Sequence, residues 1–251
     1  MRRMHIQRLS RQPARAASAS WPAIFFGLAC AACADAPFDP VDEARPETPP
    51  PVAAALNPAT PLEPFDLFDE SVWLRQEHVL GRGPLLAANV TVEEAQLHLA
   101  LSAAGYQGGE IASRRDFGTG AFAASLRCGA PSGALCAFFM YQRNAGNRAD
   151  EIDIEILGAT RTIWFTTWSS GRRTNHASAT LPFDPAADTH AYGIVRTGSS
   201  VAFYVDGQEY ARFRRKLPSA PLALLVNAWW PTWLTPSAGT GMLDVDWIDW
   251  S

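Results

Sequence analysis

The sequence predicts an all-β domain, a sandwich or a barrel of antiparallel strands. Two observations carry that expectation. From Glu63 onward, short alternating segments recur between Gly, Pro, Asn and Asp, and no stretch keeps a helical period over three capped turns. The alternation is clearest in Glu151-Ile152-Asp153-Ile154-Glu155 followed by Ile156. Period two there sends three acids to one face and three isoleucines to the other. About 190 residues of this texture are enough for one core. No internal repeat is present.

Two segments precede the domain in the 251-residue chain. Residues 1–34 hold Arg2, Arg3, Arg8, Arg11 and Arg15, no acid, and an apolar run over residues 21–34. That run is too short to cross ~30 Å of hydrocarbon, and the pattern is that of an export signal. Cys30 or Cys33 is placed for the lipid anchor of a bacterial lipoprotein, although neither follows the usual leucine three positions earlier. Cleavage after Ala34 without a lipid is the alternative. The expected location is extracellular or the bacterial cell envelope. Residues 35–62, rich in Pro, Ala and acid, read as an extended tether, leaving residues 63–251 as the domain. Without the signal's five arginines, 16 of the 21 basic residues face 25 acidic ones, a net charge of about −9. That balance disfavours nucleic acid and anionic membrane as partners.

Within the domain, residues 97–101, 121–126, 163–168, 192–195, 201–205, 222–226 and 243–250 suit strands. Cys128 and Cys136 bracket a Gly-Ala-Pro-Ser-Gly turn, which reads as a hairpin. In an exported protein the two face each other as a disulfide, the alternative being two small buried thiols. Seven of the nine tryptophans fall between Trp164 and Trp250, with Trp229, Trp230 and Trp233 clustered around Pro231. Each buried indole N–H needs an acceptor, so this many tryptophans implies some exposed rings, which stack well on sugar C–H faces. Trp73, Trp247 and Trp250 read as core.

The acidic strand carries the chemistry. Like charges on one strand face repel and raise one another's pKa, so a fold gains nothing from them. A glycosidase needs one ionised carboxylate and one protonated carboxyl group across a glycosidic bond. The bland alternative is a solvated acidic strand.

Asp150 to Gly158, DEIDIEILG, resembles the signature of glycoside hydrolase family 16, the β-jelly-roll enzymes that include lichenases and xyloglucan transglycosylases. Other segments follow in the family's order. Glu110-Ile-Ala-Ser113, Phe117-Gly-Thr-Gly120 and Phe138-Phe-Met-Tyr141 resemble its E-Y-R-S, Y-G-Y-G and F-F-T-Y. His190-Ala-Tyr192, Phe203-Tyr-Val-Asp-Gly207 and Asn227-Ala-Trp229 resemble its H-T-Y, W-Y-V-D-G and N-L-W. The resemblance implies a two-sheet jelly roll with a concave cleft, Glu151 as nucleophile, Asp153 as assisting carboxylate and Glu155 as general acid/base. Four strand residues span roughly 13 Å between Cα atoms, so Glu151 and Glu155 must lean together over Asp153 to approach the ~5–5.5 Å of a retaining pair. Glu110, Phe139, Tyr141, Asn227, Trp229 and Trp233 match cleft positions; His190 also matches, with a structural role as the alternative. Asp246 matches a position that helps hold a structural calcium in some members, and no other cofactor is implied.

The departures concern sugar reading. Ala112 replaces an arginine two residues after the cleft Glu, and Ala149 a tryptophan before the acidic run. Phe165 and Thr167 stand for Asn and Tyr, and Arg196 for the tryptophan after H-T-Y. The expected function is a monomeric retaining endo-β-glucanase acting on β-1,3-1,4- or β-1,3-glucan. The alternatives are a transglycosylase on a β-glucan or xyloglucan-like polysaccharide and a non-catalytic carbohydrate-binding jelly roll.

Overall fold

A computed structural model describes Leu56, Pro58 and residues 60–251. The expected signal with Cys30 and Cys33, and most of the expected tether, lie outside the described residues. Two seven-stranded antiparallel sheets form a jelly-roll sandwich. The described residues form no α-helix. One sheet runs β1 (Trp73–Arg75), β6 (Gly109–Phe117), β15 (Leu222–Trp229), β8 (Leu135–Tyr141), β9 (Glu151–Leu157), β10 (Thr162–Ser169) and β11 (Arg172–Thr180). The other runs β14 (Gln208–Phe213), β13 (Val201–Val205), β12 (His190–Arg196), β7 (Gly120–Gly129), β16 (Thr240–Trp250), β5 (Gln96–Ser102) and β4 (Val90–Glu93). A two-stranded hairpin, β2 (His78–Leu80) and β3 (Gly83–Leu85), stands beside the first sheet.

The core lies between the sheets, where the strands' alternate apolar residues meet. Ile152, Ile154 and Ile156 of β9 pack there with Phe138, Phe165, Val226, Leu126, Ile194 and Phe203. Trp73 is buried, and its indole N–H donates to Glu63 Oε2 at 2.8 Å. A second apolar cluster lies on the outer face of the β9 sheet and includes Leu80, Ala112, Phe139, Tyr141, Leu225 and Trp229. An outward sheet face is normally wet. Burial here means that the hairpin and the loops around residues 143–149 and 230–238 rise above this face and leave a recessed cleft.

Two expectations need correcting. Cys128 and Cys136 are disulfide-bonded, with Cα atoms 5.9 Å apart, but not across a hairpin. Their strands, β7 and β8, belong to different sheets, so the bond staples the sandwich layers together. The Gly/Pro turn was legible; which sheet the chain enters after it was not. Leu56, placed in the tether by composition, is buried on the outer face of the β12 sheet among Ala123, Ala202 and Tyr204. Gly193 makes room for it, since a Cβ there would run into Leu56 Cδ2.

Candidate active site

The cleft floor is built from cross-strand rows. In one, Tyr141, Glu151 and Trp168 are register partners across β8, β9 and β10. In the next, Leu225, Phe139, Asp153, Thr166 and His176 follow one another from β15 to β11. In the third, Glu110, Asn227, Ala137, Glu155 and Trp164 do so from β6 to β10. The period of two in β9 therefore points all three carboxylates into the cleft, as the sequence led us to expect.

Burial raises the pKa of all three: Glu151 is pushed up, Asp153 lies well above its ordinary value, and Glu155 is raised as well. Their hydrogen bonds separate them. Asp153 donates its proton to Glu151, which favours the ionised form of Glu151. The other side of Asp153 is fixed by Trp168, whose Nε1 donates to Oδ2 at 2.9 Å. For Glu155 burial is the whole cause. Glu155 is raised to about 7 by burial alone; in Glu151 the hydrogen bond from Asp153 opposes burial and the charges of Glu155 and Glu110, which together still raise it to about 8.

Asp150 anchors the start of this strand. Burial pushes its carboxyl up, but backbone N–H groups of Ser170, Ala220 and Ser219 outweigh that and hold it below its ordinary value. Its Oδ1 accepts from Ser170 at 2.8 Å, and its Oδ2 from Ser219 at 2.7 Å and Ala220 at 3.1 Å. Three loops thus converge one residue before Glu151.

Residues 85–249 match the family model described as Glycosyl hydrolases family 16. The chain belongs to glycoside hydrolase family 16. A β-glucanase of Acetivibrio thermocellus is 29% identical over 175 residues, 66% of this chain and 52% of that protein. The chain thus spans about half the length of that relative. A β-glucanase of Bacillus amyloliquefaciens is 29% identical over 178 residues, 66% of this chain and 74% of its own. The solved β-glucanase of Bacillus licheniformis superposes with a TM-score of 0.70 at 24% identity, covering 75% of this chain and 96% of that one, and so shares the fold.

Set in the family 16 fold, the sequence-derived site divides. Glu110 and Asn227 adjoin the carboxylates: Asn227 Nδ2 donates to Glu110 Oε2 at 2.9 Å. Phe139 and Tyr141 line the floor, and Tyr141's hydroxyl pKa is pushed up to about 12 by burial and then by the charges of Glu151 and Glu110. Trp233 is 47% exposed at the cleft wall. Trp229, expected to be exposed, is 4% exposed; its ring packs edge-on against Trp233 at 5.2 Å and over Gly81. His190 leaves the site altogether. It sits on β12 in the opposite sheet, stacked on Phe183 at 3.4 Å and bonded to Asp206 at 2.7 Å. Arg196 is also structural, its Nη2 donating to Pro218 and Ala220 carbonyls at 3.1 and 2.8 Å.

Asp246, the position of the expected calcium, is hydrogen-bonded to neighbouring side chains. Its Oδ1 already accepts from Gln96 Nε2 at 2.5 Å and its Oδ2 from Ser125 at 3.1 Å. No group of three or more His, Cys, Asp or Glu side chains converges to hold a metal among the described residues. Calcium ordinarily takes 6–8 oxygen ligands.

The resemblance set Phe165 and Thr167 of β10 against sugar-reading positions, and the structure turns both away from the cleft. Phe165 and Thr167 are fully buried, facing the interior, whereas Trp164, Thr166 and Trp168 face the cleft beside the carboxylates. Aligning the alternation of β10 with that of β9 would have found them. His176, bonded through Nδ1 to Thr166 at 3.1 Å, and His78, 3.0 Å from Glu110, carry no motif and were missed.

Proposed function

We propose that this protein is a retaining endo-β-glucanase that cleaves β-1,3-1,4- or β-1,3-glucan through a covalent glycosyl-enzyme. One observation carries the mechanism: three carboxylates share one strand face, and of the two glutamates Glu151 accepts a hydrogen bond from Asp153 whereas Glu155 is raised by burial alone. Glu151 attacks the anomeric carbon while Glu155 gives its proton to the departing glycosidic oxygen. The Glu155 carboxylate so formed then takes a proton from water, which displaces Glu151 and restores both groups. Asp153 holds Glu151 in its attacking position and is itself oriented by Trp168. The recessed floor and the aromatic residues along it suit an extended chain lying across the strands. The β-glucanase names of the Acetivibrio and Bacillus relatives support a β-glucan as the polymer.

Glu151→Gln and Glu155→Gln separate the roles. Both should abolish cleavage of polymeric glucan. Only Glu155→Gln should retain activity on substrates with good leaving groups, and azide should restore its turnover with a β-glycosyl azide as product. Normal activity of Glu155→Gln on polymer would refute the assignment. Product sizing on the same glucans reads out the acceptor: shortening alone means water, and shortening with lengthening means transfer to sugar.

A further inference from the structure

We propose that His78 is a specificity-determining residue of the cleft. It holds Glu110 as an acceptor for the hydroxyl groups of an unsubstituted, uncharged sugar, and that grip weakens as the imidazole loses its proton. The proposal rests on the glycan-cleaving reading above and concerns the β2–β3 end of the same cleft.

The geometry is specific. Glu110 Oε1 faces His78 Nε2 at 3.0 Å, and Glu110 Oε2 faces Asn227 Nδ2 at 2.9 Å. The His78 and Glu110 side chains are 9% and 4% exposed. Each carboxylate oxygen retains accepting capacity after these contacts. Asn227 Oδ1 is buried and finds no hydrogen-bond donor among the described residues. What remains at this spot is therefore acceptance, which suits donating sugar hydroxyls and rejects a carboxylate, sulfate or ether oxygen. Position 112, where the family resemblance leads one to expect a permanently charged arginine, is a buried alanine. The cation beside Glu110 is a histidine, which can lose its charge in the physiological range.

Both ring nitrogens of His78 face oxygens, Nε2 toward Glu110 and Nδ1 toward the Val79 carbonyl at 3.4 Å. Only the imidazolium can donate to both. Burial disfavours that charge, but the hydrogen bond to Glu110 and the charge of Glu110 outweigh it, and the pKa of His78 is raised above 6.5. The surrounding charges are few. Glu110 faces the ring from β6 and Glu77 precedes it in the chain. Tyr141 of β8 and Glu151 of β9 both feel Glu110, while β15 offers only the uncharged Asn227. Arg82, in the same hairpin, is turned away and donates to the carbonyls of Pro231, Thr232 and Leu234 at 2.9–3.0 Å. Those three bonds fix the hairpin to the Trp233 loop, so the ring's place over Glu110 is set by the fold.

The test follows KM and kcat from pH 5.5 to 8.5 on a soluble glucan that the protein cleaves. The native KM should rise about fivefold as His78 deprotonates, since a charge-assisted hydrogen bond is roughly twice as strong as a neutral one. In His78→Gln the KM should be raised at low pH and flat across that range, and a carboxymethylated glucan should be the poorer substrate of the native protein. A pH-independent native KM, or a His78→Gln curve that follows the native one, overturns the proposal. A proton NMR titration of the imidazoles tests the pair without any substrate: the His78 pKa should fall in Glu110→Gln, and no change overturns it. Should no glucan be cleaved, the β-glucan reading fails while the titration still decides the pair.

Discussion

At the residue scale, the three cleft carboxylates leave a mark on stability as well as on rate. Each has a folded-state pKa above its ordinary value, so the native state holds protons that the unfolded chain has released. Their contribution is fully present below about pH 4 and is lost as pH rises through the raised folded values, which are about 7 for Glu155 and about 8 for Glu151. The melting temperature of the native protein should therefore fall between pH 5 and pH 8. Glu151→Gln should be the more stable protein at pH 8, with the gap closing toward pH 5; a gap that ignores pH would remove the buried, coupled triad. The two wall tryptophans should part company. Trp233→Ala should raise KM about tenfold with little change in melting temperature, as expected for an exposed sugar platform. Trp229→Ala should cost about 3–5 kcal/mol of stability, as expected for a buried ring. Kinetics and melting measured on both variants check the division. The acids of β9 were legible because alternating charge and isoleucine leaves no other phase. Trp229 was not, because its burial comes from Gly81 and the β2–β3 hairpin, which lie about 150 positions earlier in the chain.

At the element scale, the disulfide joins the ends of β7 and β8, strands that never pair with each other. The loop it closes spans a sequence separation of 8, so chain entropy assigns it about 2–3 kcal/mol. For a domain of this size that corresponds to roughly 5–10 °C. Reduction, or the Cys128→Ser/Cys136→Ser pair, should lower the melting temperature by that amount; an unchanged value would mean that the sheets are held as well without the bond. Most strands were readable from period-two segments, since the interior selects one residue in two along β9, β12 and β13. Sheet membership was not readable, because a Gly/Pro turn serves equally for a hairpin and for a crossing between layers. The same ambiguity put His190 near the cleft: the motif was sound, but β12 belongs to the other sheet.

At the scale of the whole molecule, the question is where the folded unit begins. Composition placed Leu56 in the tether, yet its side chain is 2% exposed on the outer face of the β12 sheet, over Gly193. Fully burying a leucine is worth about 1.5–3 kcal/mol, so Leu56→Ala in the full chain should lower the melting temperature by roughly 3–10 °C. Loss of stability alone would not place Leu56 over Gly193, but a double-mutant cycle does. Gly193→Ala sets a methyl group where Leu56 Cδ2 lies, so alone it should destabilise by displacing the leucine. In the Leu56→Ala background the same methyl enters vacated space and should be neutral or stabilising. Contacting residues couple in this way by about 0.5–3 kcal/mol, whereas distant ones add. Additive effects of the two substitutions would show that Leu56 does not rest on this glycine and would move the start of the domain back toward Glu63.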